Sequence, residues 1–520
     1  MKKSGRLTHY LLTSMLCMVF VIAGSAAVFA DQEITVETRG NFADNLRAAL
    51  ETPHDGELLT VNVPKNVPNE PYKIDKNIYI YSDTVLNATG CTFKFTGSGT
   101  MLKGAHKHNG QRCRADEGSG NCSLGEYKQV RNVTVNGGTW NAKVNAKTDT
   151  QCIMFRHAQN ITLKNITAMG NTNHAFNISG VNNATITNCT FTAPTKYTGK
   201  DKAFWGDIPA GKADRFNSME ALHLDFTCKS GEPNAKPLDN TPCKNITVSG
   251  CKFIGTFSGV GTHHANTDAS KRAYNITVKG CTFTNIASNT GNANCYGRAL
   301  TFYTANNVSF LNNTINGVYN AVLLDNVKNV VASNNRNVRG VKGNAFYVRN
   351  ACSGKITNNG VNTPKQTGVY IYGSAVTAYN NTIKNAGTHG IIVENAKGAN
   401  VNTNTIAGSK QNGIMVLANN KKKTATVGVR YNTVKSSGQI GILIQDGTNC
   451  VVFKNNVTGS KSNGITVQGM KKTCVGTKVT DNISKGNRGK KDILINTKCK
   501  KTVAKNNKVG GAKRFYSFDR

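Results

Sequence analysis

Three features of the amino-acid sequence predict an all-β chain wound as a right-handed parallel β-helix of about 23 residues per rung, closed at one end by a short N-terminal capping helix. They are a six-residue pattern that recurs at near-constant spacing, asparagine pairs that recur in step with it, and one amphipathic stretch ahead of the first repeats.

The pattern is small, apolar, variable, apolar, variable, variable. Its copies begin at Cys152, Ala175, Ala221, Gly259, Ala299, Ala321, Ala345, Gly368, Gly390, Gly413, Gly441 and Gly464. Most intervals are 22 to 28 residues, and the three that reach 38, 40 and 46 read as the same period with loops inserted. Alternation turns the two apolar residues of each copy inward, as for Ile153 and Phe155, Leu222 and Leu224, Phe346 and Val348, and Ile442 and Ile444. Cys189, Cys251 and Cys281 fall at matching places in Asn-Cys-Thr-Phe, Gly-Cys-Lys-Phe and Gly-Cys-Thr-Phe, which reads as a buried thiol ladder rather than a set of metal ligands.

After most copies comes a turn and a second short strand ending in asparagine, as at Asn312-Asn313, Asn334-Asn335, Asn358-Asn359, Asn380-Asn381, Asn455-Asn456 and Asn506-Asn507. Asparagine tolerates left-handed backbone, and stacked amides can hydrogen-bond from rung to rung. The many Asn-x-Ser/Thr triplets, Asn132-Val133-Thr134 and Asn245-Ile246-Thr247 among them, follow from these turns and carry no expectation of glycosylation.

An open solenoid end exposes core and unpaired strand edge, so a cover is required. Asn41 to Leu50 supplies it, with Phe42, Leu46 and Leu50 at helical spacing, followed by extended pieces at Leu58 to Val63, Tyr72 to Ile74 and Ile78 to Tyr81. This order of short helix, Val-x-Val-Pro, Tyr-Lys-Ile and Ile-Tyr-Ile-Tyr resembles the entry region of pectin-lyase-like proteins. With the rungs, the resemblance spans nearly all of the chain after residue 30, and it implies fold rather than activity. The expected organisation is a signal peptide at 1–30, cap and first rungs at 31–125, the β-helix at 126–510 and a tail at 511–520.

Lys2, Lys3 and Arg6 ahead of an apolar run, then Val28-Phe29-Ala30, have the form of a secretory signal, so a secreted, extracellular protein is expected. No later stretch reaches the roughly 20 apolar residues of a membrane span. Without the signal the chain holds 61 Lys and Arg against 28 Asp and Glu. That balance suits an anionic partner, an acidic polysaccharide or cell-wall polymer, and no recognition helix or aromatic RNA-binding signature supports nucleic acid. Fourteen cysteines remain beyond Cys17; spacing suggests the disulfides Cys113 with Cys122 and Cys228 with Cys243, and Cys352, Cys450, Cys474 and Cys499 share a turn where inter-rung bonds are conceivable.

The inserted loops concentrate between Ala175 and Ala299, and long loops on a rigid stack are where binding walls are built. Successive fifth positions are Arg156, Ser179, Asp225, His263, Tyr303, Asp325, Arg349, Tyr372 and Glu394; third positions add Asn177, His223, Tyr347 and Tyr370, and the residues before the copies add His174, Glu220 and Arg298. All are expected to face outward. Glu220, His223, Asp225, His263, Tyr303 and Asp325 are the candidate catalytic residues, with Arg156, His174, Asn177, His264, Arg298, Arg349, Tyr347 and Tyr370 as candidate substrate contacts.

Two reactions fit. β-Elimination needs an arginine to neutralise the sugar carboxylate, a base such as His223 or His263, and an acid such as Tyr303. Hydrolysis needs two carboxyls flanking the bond, from Glu220, Asp225 and Asp325. Polygalacturonases carry Asn-Thr-Asp with paired aspartates and Gly-His-Gly, whereas Asn266-Thr267-Asp268 stands alone here; the clustered aspartates of calcium-binding pectate lyases are missing, and Pro53-His54-Asp55, which resembles part of an epimerase motif, precedes the rungs and is discounted. No cofactor is assigned, with Ca2+ or another divalent metal left open: His223, His263 and His264 with Asp225 lack a regular ligand spacing. The competing class is a non-catalytic adhesion protein with Tyr347, Tyr370 and Tyr372 as a sugar-stacking platform.

Overall fold

The computed structural model describes residues 31–520 apart from 55, 109, 114–121, 143–149, 172, 193–219, 229–235, 263–264, 266–267, 269, 287–296, 420–424, 472, 512–514 and 518–520. Each rung contributes up to three short strands, as in Asn320–Asp325, Val330–Ser333 and Asn337–Val341. The third strands of successive rungs form a 16-stranded parallel sheet, and the first two join across their shared turn into a 31-stranded one. Every copy of the repeat pairs with the next in the predicted register: Ile153 with Phe176, Phe176 with Leu222, Leu222 with Val260, Val260 with Leu300, and onward to Ile442 with Ile465. The 46-, 38- and 40-residue intervals are therefore single rungs carrying insertions.

The core is a column of side chains one rung deep. All eight inward residues named from the alternation are fully buried. Phe191, Phe253 and Phe283 stack with ring centroids 4.6 and 4.7 Å apart, nearly the strand spacing itself. Beside them Cys189, Cys251 and Cys281 are buried, their thiols turned toward backbone carbonyls such as Leu163 O and Ile186 O.

The asparagine pairs divide the labour. In Asn312-Asn313, Asn334-Asn335, Asn358-Asn359 and Asn380-Asn381 the first member takes left-handed backbone, with φ of 51° to 58°. The second is buried and forms a ladder running Asn313, Asn335, Asn359, Asn381, Asn404, Asn432, Asn455, Asn482 and Asn507. At Asn359 the side-chain oxygen accepts from the Asn335 amide nitrogen at 3.0 Å and from Asn335 Nδ2 at 2.9 Å, while its own Nδ2 donates to Ala332 O and Asn381 Oδ1, both at 2.9 Å. Each polar atom of the Asn359 side chain thus has a partner. A second, exposed ladder links Asn132, Asn160 and Asn183, then Asn245, Asn275, Asn307 and Asn329, so the side-chain nitrogens of these triplets are already engaged as donors.

At the N-terminal end, Gln32–Thr35 pairs with Leu59–Asn62, a strand that the sequence pattern does not signal. The helix α1, Phe42–Glu51, is capped by Asn41, whose side chain accepts from Asp44 N. Its Phe42, Leu46 and Leu50 face inward, with Phe42 stacked on Tyr72 at 3.8 Å. At the other end, Phe515–Ser517 pairs with Ile493–Ile495 and carries the sheet into the expected tail.

The expected disulfides are not formed. The described cysteines, Cys113, Cys122, Cys228 and Cys243 included, are all thiols. Cys243 belongs to the rung wall, its sulfur turned to Ile178 O and Asp225 O at 3.3 and 3.4 Å. Cys474 and Cys499 are register neighbours, also as thiols.

Replacing Asn359 by alanine strands several buried hydrogen-bonding groups at once. At roughly 1–3 kcal/mol for an orphaned group, Asn359→Ala should destabilise the protein by about 3 kcal/mol in denaturant titrations, whereas Asn358→Gly at the left-handed position should be nearly neutral.

Candidate functional site

The face built from the first strand of each rung carries the titratable residues. The register confirms the columns read from the sequence: Arg156 lies beside Ser179 and Ser179 beside Asp225; further on, Tyr303, Asp325, Arg349, Tyr372 and Glu394 are successive neighbours. In the third-position column Asn177 neighbours His223, and Tyr347 neighbours Tyr370. His263 and His264 lie outside the described residues, as do residues 193–219 and residues 229–235 of the proposed Cys228 to Cys243 loop.

The structure sorts the candidates into two groups. The first is His174, Asn177, Glu220, His223 and Asp225, expected to face solvent but at most 5% exposed. His223 Nε2 lies 2.9 Å from Asp225 Oδ2, and its Nδ1 lies 3.3 Å from Asn177 Oδ1, which also accepts from Ser179 Oγ. The other Asp225 oxygen accepts from Phe226 N at 2.9 Å. The His174 ring stacks on His223 with centroids 3.9 Å apart, and its Nδ1 meets Glu220 O at 2.8 Å. A rung further on, the register partner of His223 is Gly261, where a Cβ would sit 1.7 Å from Thr301 O, so only glycine fits. His174, Glu220 and His223 offer ligand-type atoms within 4.8 Å of one another, a different set from the His223, His263, His264 and Asp225 weighed from the sequence. Burying two carboxylates and two imidazoles together demands hydrogen bonding; within the group it runs from Asp225 through His223 to Asn177, and from His174 to the Glu220 backbone.

The second group is open. A cleft of about 550 Å³ runs along the turn where the first strands end, lined by Tyr303, Asp325, Asn326, Asn350, Tyr372 and Asn395. Three guanidinium groups each contact one of its lining residues. Arg298 Nη1 donates to Tyr303 OH at 3.4 Å, Arg272 Nη1 donates to Asn326 O at 2.9 Å, and Arg349 Nε pairs with Asp325 Oδ2 at 2.7 Å. Asn350 Nδ2 holds the other Asp325 oxygen. Tyr347 and Tyr370 stack at 4.9 Å beside this column, with Arg349 over the Tyr347 ring. Burial and the Glu394 carboxylate, to which its hydroxyl donates, keep Tyr370 protonated well above the usual tyrosine range. Tyr303 and Asp225 lie two rungs apart, about 10 Å, so the two groups adjoin without merging. Arg156 stands two register steps from Asp225 on the opposite side from Tyr303.

A clamp that sequence reasoning missed supports the buried group. Asp239 accepts from Thr227 Oγ1 and Thr241 Oγ1, each at 2.6 Å, and from Glu126 N at 2.7 Å. Buried His157 bridges Glu126 O and Pro237 O at 2.8 and 3.0 Å. Neither residue stands out in the sequence, because their partners lie up to 113 positions away.

The winding and the family comparison together define the class: this chain is a right-handed parallel β-helix protein. A family model described as "Right handed beta helix region" matches residues 320–483. No curated protein matches the chain. Among solved structures it is similar to PfbA, a surface adhesin of Streptococcus pneumoniae, at 14% identity over 92% of this chain and 93% of that one, with a TM-score of 0.39. It is also similar to the periplasmic alginate epimerase AlgG, at 10% identity over 73% and 77% with a TM-score of 0.39. A third is a tailspike protein of the E. coli bacteriophage HK620 in complex with a pentasaccharide, at 10% identity over 90% and 76% with a TM-score of 0.44. At these scores the similarity bears on neither site nor activity.

Burial pushes the Asp239 carboxyl up, but the hydrogen bonds from Thr227, Thr241 and Glu126 outweigh it and hold its pKa at about 2. A depressed carboxyl stabilises the fold fully above its unfolded pKa of roughly 3.9, and that contribution is lost as pH falls toward 2. Asp239→Ala should therefore cost about 2 kcal/mol at neutral pH. Its gap from wild type in urea titrations should narrow between pH 4 and pH 2; an equal gap at both would remove the clamp.

Proposed function

We propose that this protein is secreted and acts on an acidic polysaccharide laid along the Tyr303–Tyr372 cleft, cleaving it by β-elimination. The observation that carries the reading is the cleft's charge. Arg272, Arg298 and Arg349 each contact one of its lining residues, and the one carboxylate among its described lining residues, Asp325, is already matched by Arg349. An anionic chain gains from such a surface, and the chain's large positive charge steers it there.

Elimination suits these groups better than hydrolysis. A glycosidase needs two carboxyls across one bond, yet Glu220 and Asp225 are fully buried and Asp325 is tied to Arg349 and Asn350. In the elimination, an arginine neutralises the sugar carboxylate and so acidifies the adjoining ring proton. A base removes that proton, and the Tyr303 hydroxyl, held beside Arg298, protonates the departing glycosidic oxygen. His263 is the assigned base: it follows Gly261 in sequence by the two residues that separate Asp225 from His223 and Tyr303 from Thr301.

Binding without turnover is the second reading, favoured by the burial of His223 and Asp225, which withholds one candidate base from the surface. The two readings separate on a panel of acidic glycans followed by absorbance of unsaturated products and by reducing ends. Tyr303→Phe and His263→Ala should each lower the rate of unsaturated product by roughly 100-fold or more while glycan binding persists. Reducing ends without unsaturation would point to hydrolysis; affinity without either product would leave an adhesin.

A further inference from the structure

Away from that face, a hairpin at the N-terminal end assembles three metal-binding side chains. Lys107 pairs with Arg112 and His108 with Gln111, and the hydrogen bond from Cys113 N to His106 O, 3.0 Å long, sets His106 opposite Cys113 at its base. Cys122 lies at the same place, its sulfur 3.2 Å from His106 Nε2 and accepting from Leu124 N at 3.4 Å. His106 Nδ1 or Nε2, Cys113 Sγ and Cys122 Sγ all fall within 4.8 Å of one another, His106 buried and the cysteines half-buried.

The platform is firm. Arg112 lies 4.1 Å over the Tyr79 ring and pairs with Glu51 at the end of α1, while Lys107 lies over Tyr81. The hairpin is thereby fastened to the cap before any ligand arrives.

We propose that His106, Cys113 and Cys122 form a binding site for zinc or a similarly soft divalent cation. Two thiolates and an imidazole are a donor set that zinc prefers over calcium or magnesium, whose partners are oxygens. Around a tetrahedral zinc the ligand atoms stand about 3.5–3.8 Å apart, which this trio reaches by shifts of roughly 1 Å. Two thiolates neutralise a divalent ion, leaving the imidazole neutral. The fourth position falls to water on the His106 side, where the ring lines a cleft of about 330 Å³ with His54 and Asp83. The cation closes the loop that a Cys113–Cys122 disulfide would otherwise close, and it ties that loop to the capping helix.

The test uses the full chain, kept reduced, stripped with a chelator and titrated with Co2+ and then Zn2+. Wild-type protein should bind Co2+ with a thiolate-to-metal absorption band in the near ultraviolet, displaced by about one equivalent of Zn2+. That band also separates this site from His174, Glu220 and His223, which contain no sulfur. Cys113→Ser and Cys122→Ser should each weaken binding by more than about 100-fold. Absence of the band from folded wild-type protein overturns the proposal, whatever the variants do, as does a Cys113–Cys122 crosslink found by alkylation and mass analysis of protein isolated without reductant.

Discussion

The structure depends on parallel pairing between rungs, continued from the cap to the last strand with a shift of register between Lys397 and Ala399. Backbone hydrogen bonds set a rise of about 4.8 Å, and everything else is a column at that spacing: aliphatic and phenylalanine stacks within, asparagine ladders at the turns, titratable side chains on one outer face. A one-residue slip would exchange core for surface along a strand. The buried asparagines resist it, because each accepts from the side chain and amide of the asparagine one rung back and donates both to a carbonyl of that rung and to the asparagine one rung on.

That constraint also shapes the candidate site. Residues 22 to 46 positions apart in sequence become neighbours, so a face of titratable side chains arises without any local motif. The column changes character along its length. Where the inserted rungs lie, Glu220, His223 and Asp225 are buried beside His174, with His223 bonded to Asp225 and His174 to the Glu220 backbone; from Tyr303 to Tyr372 the fifth positions are partly exposed, and Arg298 and Arg349 contact two of them. One repeating scaffold thus presents a rigid buried network beside an accessible cationic cleft, the first steadied by the Asp239 clamp.

Cysteine follows the same logic. A thiol that falls on the strand pattern, such as Cys189 or Cys243, becomes part of the wall and turns to a backbone carbonyl. Cys113 and Cys122 fall off the pattern, in the hairpin region that interrupts the early rungs, and there the sulfurs meet a histidine instead.

By itself the sequence determined the winding, the rung boundaries, the inward residues, the capping helix and the order of side chains along the outer face. All of these follow from alternation and period, which local chemistry writes directly into the chain. Only the tertiary structure decided which outward residues are covered and which stay open, since cover comes from segments far away in the chain. It likewise decided that Asp239 and His157 brace the site, that Arg272 reaches the Asn326 turn, and that Cys113 and Cys122 sit as thiols beside His106. Each is a contact between residues whose spacing obeys no repeat, and no pattern in the chain encodes it.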